Sequence, residues 1–218
     1  MKLFITGIST DVGKTIASAI IVEALQADYW KPIQAGDLDN SDSHKIKSYI
    51  SNDGHPERSR KTVIHENSYK LNTPASPHFA AQVDGIAIDL KNISEPNPDG
   101  YHDKNHLVIE GAGGVFVPLN DTDCVIDLIR PDYKVIVISR HYLGSINHTL
   151  LTIEALKNRK INIAGIIFSG DENKATESII LNKTGIKCIG RIEQEPYFDQ
   201  NVILEYANLF RENLLKIQ

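Results

Sequence analysis

Residues 3–5 form a short apolar run, Leu3-Phe4-Ile5, which leads directly into Thr6-Gly7-Ile8-Ser9-Thr10-Asp11-Val12-Gly13-Lys14-Thr15. Residues 16–27 are then rich in Ala, Ile and Leu at helical spacing. A buried strand, a glycine loop, a Lys-Thr pair and a helix, in that order, limit the possible folds more than any other stretch of the chain. The glycines let backbone close around an anion without Cβ clashes, and the N–H groups that open the helix point at it. Lys14 supplies a mobile cation for the outer phosphates of a nucleotide, and the Thr15 hydroxyl suits Mg²⁺ ligation. A plain strand-to-helix turn would need neither residue at these two positions. The stretch is a P-loop in its proper context.

The rest of the chain continues the alternation. Apolar runs at 29–31, 107–110, 134–139, 161–168 and 186–189 read as strands, with a further short one around Tyr69. Helical patterns cover 42–50, 79–83, 123–129, 146–158, 174–183 and 202–217, with Ser41 or Asn40 as N-cap of the first. Six or seven strands alternating with helices predict an α/β fold. It would be a doubly wound, mostly parallel sheet with helices on both faces, in a single P-loop domain over 1–218.

Composition narrows the function classes. The 218 residues are 41% apolar, enough for a core, and carry a net charge of −5 with no basic stripe, so a nucleic-acid partner is not expected. Arg58, Arg60 and Lys61 read as a solvated loop, as does the Pro/Asn/Gly stretch 95–103. Cys124 and Cys188 lack metal or redox spacing and read as buried thiols in a reducing compartment. Met1 runs straight into the first strand, and no apolar run approaches the roughly 18 residues that span a bilayer. A soluble, cytoplasmic protein without a membrane partner is expected.

Four further stretches carry candidate chemistry. Lys31, between Trp30 and Pro32, falls at the carboxyl end of a strand, where open α/β sheets bind ligands, although a surface charge would look the same. Asp42 serves either as first-turn compensation of the helix dipole or as a carboxylate for Mg²⁺. Glu110-Gly-Ala-Gly-Gly114 ends an apolar strand in an acid followed by glycines, as where a carboxylate polarises water or metal beside phosphates. Leu143-Gly144-Ser145-Ile146-Asn147-His148 opens a long helix whose N–H groups either are simply capped or hold a ligand carboxylate.

Taken together, these motifs resemble dethiobiotin synthetases nearly end to end. The resemblance rests on the loop from Thr6 to Thr15, Trp30-Lys31-Pro32-Ile33-Gln34-Ala35-Gly36, Asn40-Ser-Asp42 and Ser76-Pro77-His78. It rests also on Glu110-Gly-Ala-Gly-Gly114 with Val117-Pro118-Leu119, and on 143–148. It implies a homodimeric ATP-dependent cyclo-ligase of biotin biosynthesis, acting on 7,8-diaminopelargonate and CO₂ or bicarbonate. Lys31, Lys14 and Thr10 would be catalytic. Asp11, Val12, Gly13, Lys14, Thr15, Ile16, Asp42, Glu110, Gly111, Ala112 and Gly113 would bind ATP and its Mg²⁺, the metal itself lying at Thr15, Asp42 and Glu110. Thr10, Lys31 and Gln34 would meet the substrate's reacting end. Leu143, Gly144, Ser145, Ile146 and Asn147 of the neighbouring subunit would hold its distal carboxylate. Three positions depart from the family pattern: Ala35 replaces a frequent Ser, Ser169-Gly170-Asp171 replaces an adenine-reading Asn, and Glu193 replaces a Pro.

Two other P-loop classes fit this sequence less well. An amidoligase acting on a cobyrinate-like acid would need a glutaminase domain with a Cys-His pair, for which 218 residues leave no room. A partitioning or regulatory ATPase usually has a second Lys near the start of the loop, where this chain has Ile8, Ser9 and Thr10.

Overall fold

Residues 1–50, 62–96 and 106–217 are described by the computed structural model. The apolar run behind the P-loop becomes β1 (Lys2–Gly7), the middle strand of a seven-stranded sheet. Leu3, Phe4 and Ile5 have no exposed surface, as a strand covered on both faces requires. β1 lies between β6 (Leu107–Gly114) and β7 (Tyr133–Arg140). On one side β6 is followed by β2 (Asp28–Trp30) and β4 (Ile64–His65). On the other, β7 is followed by β8 (Ile163–Ser169) and β9 (Cys188–Ile192). Every pairing is parallel. The doubly wound sheet expected from the alternation is therefore present, and the P-loop emerges at its centre, where ligands of such sheets collect.

The helix after the P-loop, α1 (Lys14–Leu25), is buried at every position from Ala17 to Leu25. One of its neighbours is α6 (Gln200–Leu215). Ile203, Ala207, Phe210 and Leu214 make the buried stripe of α6, and Asp199 caps it by accepting from the N–H groups of Asn201 and Val202. The helix carrying Asp42, α2 (Asp42–Tyr49), starts in a capping box: Ser41 Oγ accepts from His44 N–H while His44 Nδ1 accepts from Ser41 N–H. That cap fixes where Asp42 leaves the backbone.

Several expectations need correcting. β6 does not end at Glu110 but runs on through the glycines, because Gly114 pairs with Gly7 of β1. The polar stretch after residue 61 contains β4. The short strand expected around Tyr69 is β5 (Tyr69–Leu71); it pairs not with the main sheet but with β3 (Ile33–Ala35) in a separate two-stranded parallel sheet. Residues 123–129 contain a 3-10 turn, Val125–Leu128, tightened by Asp127 accepting from Cys124 N–H. The last strand lies at Cys188–Ile192, slightly beyond the expected range. Cys188 is exposed and Cys124 half-buried; on the edge strand β9 the alternation buries Ile189 and turns Cys188 outward. Arg58, Arg60, Lys61 and most of the 95–103 stretch lie outside the described residues.

Candidate active site

A cavity of about 790 Å³ lies at the carboxyl ends of β1, β2 and β6. It gathers Thr10, Asp11, Gly13, Lys14, Thr15 and Ile16 from the P-loop and α1. Lys31 and Gln34 reach it from beyond β2, Asp42 from the start of α2, and Glu110, Ala112 and Gly113 from β6. Gly13 turns into α1 with φ +94°, a left-handed conformation that costs a side-chain-bearing residue about 1–2 kcal/mol. Lys14 Nζ donates to Ser9 O at 3.1 Å, across the mouth of the loop.

A charged cluster sits under this loop. Lys31 Nζ donates to Glu110 Oε1 at 3.1 Å and is also paired with Asp42 Oδ2. Thr15 Oγ1 donates to the same Glu110 Oε1 at 2.9 Å, and Tyr29 OH donates to Glu110 Oε2 at 2.9 Å. Burial opposes the charge on Lys31, but Glu110 and Asp42 outweigh it and hold the ammonium pKa above its ordinary value. Burial likewise opposes charge on Asp42, and Lys31 outweighs it, so the carboxyl lies below its usual range. Lys14 is shifted the other way: desolvation, only partly offset by Glu110, draws its pKa down. A Lys31 held cationic by two carboxylates thus lies near a Lys14 whose burial is only partly offset by Glu110.

Not every expected residue lines the cavity. Val12 is only 1% exposed and packs in the core. A Cβ on Gly111 would meet the Phe4 ring at 3.1 Å, so that position faces inward. Gln34 borders the cavity, yet both ends of its amide are engaged: Oε1 accepts from Asp42 N–H at 3.3 Å and Nε2 donates to Gly36 O at 2.9 Å. Leu143, Gly144, Ser145, Ile146 and Asn147 are absent from this wall; Leu143 is fully exposed and Ser145 buried at the start of α4 (Ser145–Asn158).

Sequence reasoning missed three participants. Tyr29 lies two residues before Lys31, the spacing that puts side chains of an extended stretch on one side, which was the available signal. Arg140 ends β7 and donates to Asp11 O at 2.8 Å, a link across 129 positions that no local pattern announces. Lys45 lines the cavity three residues after Asp42, on the same helix face.

A protein-family model described as an AAA domain matches residues 1–202. The ATP-dependent dethiobiotin synthetase of Christiangramia forsetii is 56% identical over 214 residues, covering 98% of each chain. That of Cytophaga hutchinsonii is 49% identical over 207 residues, 94% of this chain and 95% of the relative. This chain belongs to the dethiobiotin synthetase family. Among solved structures, the cell-division ATPase MinD of Pyrococcus furiosus aligns with a TM-score of 0.57 at 11% identity, over 100% of this chain and 99% of the other. A ParA-family ATPase from Chlorobium tepidum aligns with a TM-score of 0.55 at 14% identity, over 94% and 97%. At such identities these two likenesses speak for the P-loop fold alone, which this synthetase-family chain shares with them.

Proposed function

We propose that the cavity bordered by Thr15, Lys31, Asp42 and Glu110 is where this ATP-dependent cyclo-ligase makes dethiobiotin. One amine of 7,8-diaminopelargonate adds to CO₂, forming a C–N bond and releasing a proton. The carbamate oxygen then attacks the γ-phosphorus of ATP, and ADP leaves with the electrons of the broken P–O bond. The second amine attacks the carbamoyl phosphate carbon, expels phosphate and closes the ureido ring. Phosphoryl transfer of this kind rests on positioning and charge neutralisation more than on a protein nucleophile. The observation that carries the reading is the Lys31 ammonium held between Asp42 and Glu110 beside the P-loop. Its raised pKa keeps it cationic, suited to the charge that moves between carbamate and phosphate. Lys14 and the N–H groups of the loop would hold the phosphates, with Thr10 at the carbamate end.

Mg²⁺ fits Thr15, Asp42 and Glu110. All three present oxygen, and two carboxylates leave room for phosphate oxygens and water. Two protein carboxylates and one hydroxyl are fewer than an octahedral Mg²⁺ takes, so phosphate oxygens and water would complete its shell. When bound, it would neutralise phosphate charge. With the terminal phosphate on the β2/β6 side of the P-loop, the base falls on the β8/β9 side. There a second cavity of about 180 Å³ shares Asp11, Gly13 and Ile16 with the first.

A homodimer fits the exposed residues at the start of α4. Gly144 opens that helix at φ +101° with no side chain capping it, and Leu143 stands fully in solvent. Supplied to a neighbouring subunit, this helix start would take the substrate's distal carboxylate. The deciding experiment follows ATP turnover with and without diaminopelargonate and bicarbonate, with mass spectrometry of the product. Turnover that depends on both and yields dethiobiotin is expected; ATP hydrolysis indifferent to them, without that product, would refute the reading.

A further inference from the structure

The second cavity is walled on one side by the P-loop and on the other by Ser169 and Gly170 at the end of β8 and by residues 192–195 at the end of β9. Tyr206 of α6 reaches those residues from behind. Its hydroxyl accepts from Glu193 N–H at 3.1 Å and donates to Glu195 Oε1 at 2.6 Å. Glu195 N–H closes onto Glu193 O at 3.1 Å, so a single hydroxyl pins both ends of a tight turn. The other carboxylate of the turn, Glu193, accepts at Oε1 from Arg191 Nη1 at 3.4 Å. The Tyr206 ring is 8% exposed and edge-on to Phe210, with centroids 6.0 Å apart. Burial and the Glu195 carboxylate push its pKa up to about 12, so the donor survives across the physiological range. α6 also packs along α1, the helix that the P-loop opens. The turn at one end of the nucleotide and the phosphate loop at the other are therefore mounted on neighbouring helices.

We propose that Tyr206 is a positioning residue for nucleotide selection: by pinning the Glu193–Glu195 turn at a set distance from the P-loop, it determines how well this cavity tells one base from another. The inference rests on the base occupying the second cavity. Both carboxylates of the turn have partners, and the Glu193 N–H, Glu193 O and Glu195 N–H are spent inside it, so the backbone and side chain of Gln194 are what it offers a base. Backbone groups discriminate only if the turn is held still.

The test measures equilibrium binding of ATP, CTP, GTP and inorganic tripolyphosphate to the full chain and to Tyr206→Phe, Glu195→Ala and Glu195→Gln. Tyr206→Phe and Glu195→Ala are expected to weaken ATP about three- to tenfold, less than the full worth of a hydrogen bond to a carboxylate because Tyr206 acts through the turn. They should also narrow the spread among the three nucleotides and leave tripolyphosphate unchanged. Glu195→Gln keeps an oxygen that accepts from Tyr206 and should behave like the parent. Equal loss of tripolyphosphate binding would mean damage to the P-loop and overturn the proposal, as would unchanged nucleotide affinities. Glu195→Gln failing like Glu195→Ala would overturn it too, since the carboxylate and not the Tyr206 link would then be what matters. Photolabelling with 8-azido-ATP separates this from the placement of the base. Label within 192–198, with no effect of Tyr206→Phe, rejects the role of Tyr206 alone. Label elsewhere rejects the placement itself.

Discussion

Lys31 Nζ and Thr15 Oγ1 donate to the same atom, Glu110 Oε1, at 3.1 and 2.9 Å. One carboxylate oxygen thereby joins the P-loop helix to the cation beyond β2, so the phosphate end and the substrate end of the cavity share a single anchor. Removing Lys31 would disturb that anchor in a specific way. Lys31→Ala is expected to lower kcat by on the order of 10²–10³, typical for loss of a donor to developing charge. ATP affinity should stay within a few-fold, as read by isothermal titration. Parent-like kcat would remove Lys31 from the chemistry.

Tyr29 is fully buried, and its hydroxyl donates to the other oxygen of Glu110 at 2.9 Å. Burial first, then the Glu110 charge, hold its pKa well above the ordinary phenol value, so it serves only as a donor. Tyr29→Phe should destabilise the fold by about 1.5–3 kcal/mol, the range for a hydrogen bond to a charged group. Urea unfolding should show a lower midpoint at unchanged m.

Gln34 orients Asp42 through its N–H group, 3.3 Å away, instead of offering a free amide to substrate. Gln34→Ala should therefore raise the Mg²⁺ needed for half-maximal nucleotide binding by roughly 10- to 100-fold, the usual effect of losing support behind a ligand. A change confined to the KM for the diamine would argue for direct substrate contact.

Leu143 is fully exposed at the start of α4. Leu143→Asp should shift sedimentation toward monomer and raise the KM for the diamine, while ATP binding to the P-loop persists. An unaltered sedimentation coefficient with unaltered KM would count against the shared site.

The carboxylate of Asp84 takes the Thr73 hydroxyl at 2.6 Å and the N–H groups of Asn72 and Thr73, just before the Pro74–Pro77 wall of the cavity. The Thr73 hydroxyl foremost, and then the two N–H groups, hold its pKa below the ordinary carboxylate value. A depressed folded-state value stabilises the fold above the unfolded pKa of about 4, and this contribution fades as pH falls through the folded value. Urea midpoints measured on either side of pH 4 should drop less for Asp84→Asn than for the parent; identical slopes would dismiss this linkage.

Much of the site was legible because its chemistry is local in sequence. Lys14 and Thr15 follow the glycine loop directly, Asp42 follows its cap, and Glu110 sits in an apolar strand beside glycines. Residue type alone left Lys31 and Asp42 with two readings each; the family resemblance favoured the site, and the fold puts Lys31 Nζ against Asp42 and Glu110. β3 and β4 escaped notice because two- and three-residue strands have too few positions for a period to register, and their pairing comes from distant partners. The outward turn of Cys188 was missed because an apolar neighbourhood in sequence does not say which residues of an edge strand face the core.

What the sequence determined by itself is the P-loop, the apolar strands around it and the family, since short-range spacing encodes each of them. Tertiary structure decided the rest. It set Tyr29 and Thr15 on opposite oxygens of Glu110, tied Arg140 to Asp11, and left Gln34 supporting Asp42. It also put Tyr206 behind the turn that faces the P-loop. These relationships join residues whose strands and helices meet only once the parallel sheet has closed, and the energy of each depends on burial that no single stretch of sequence contains.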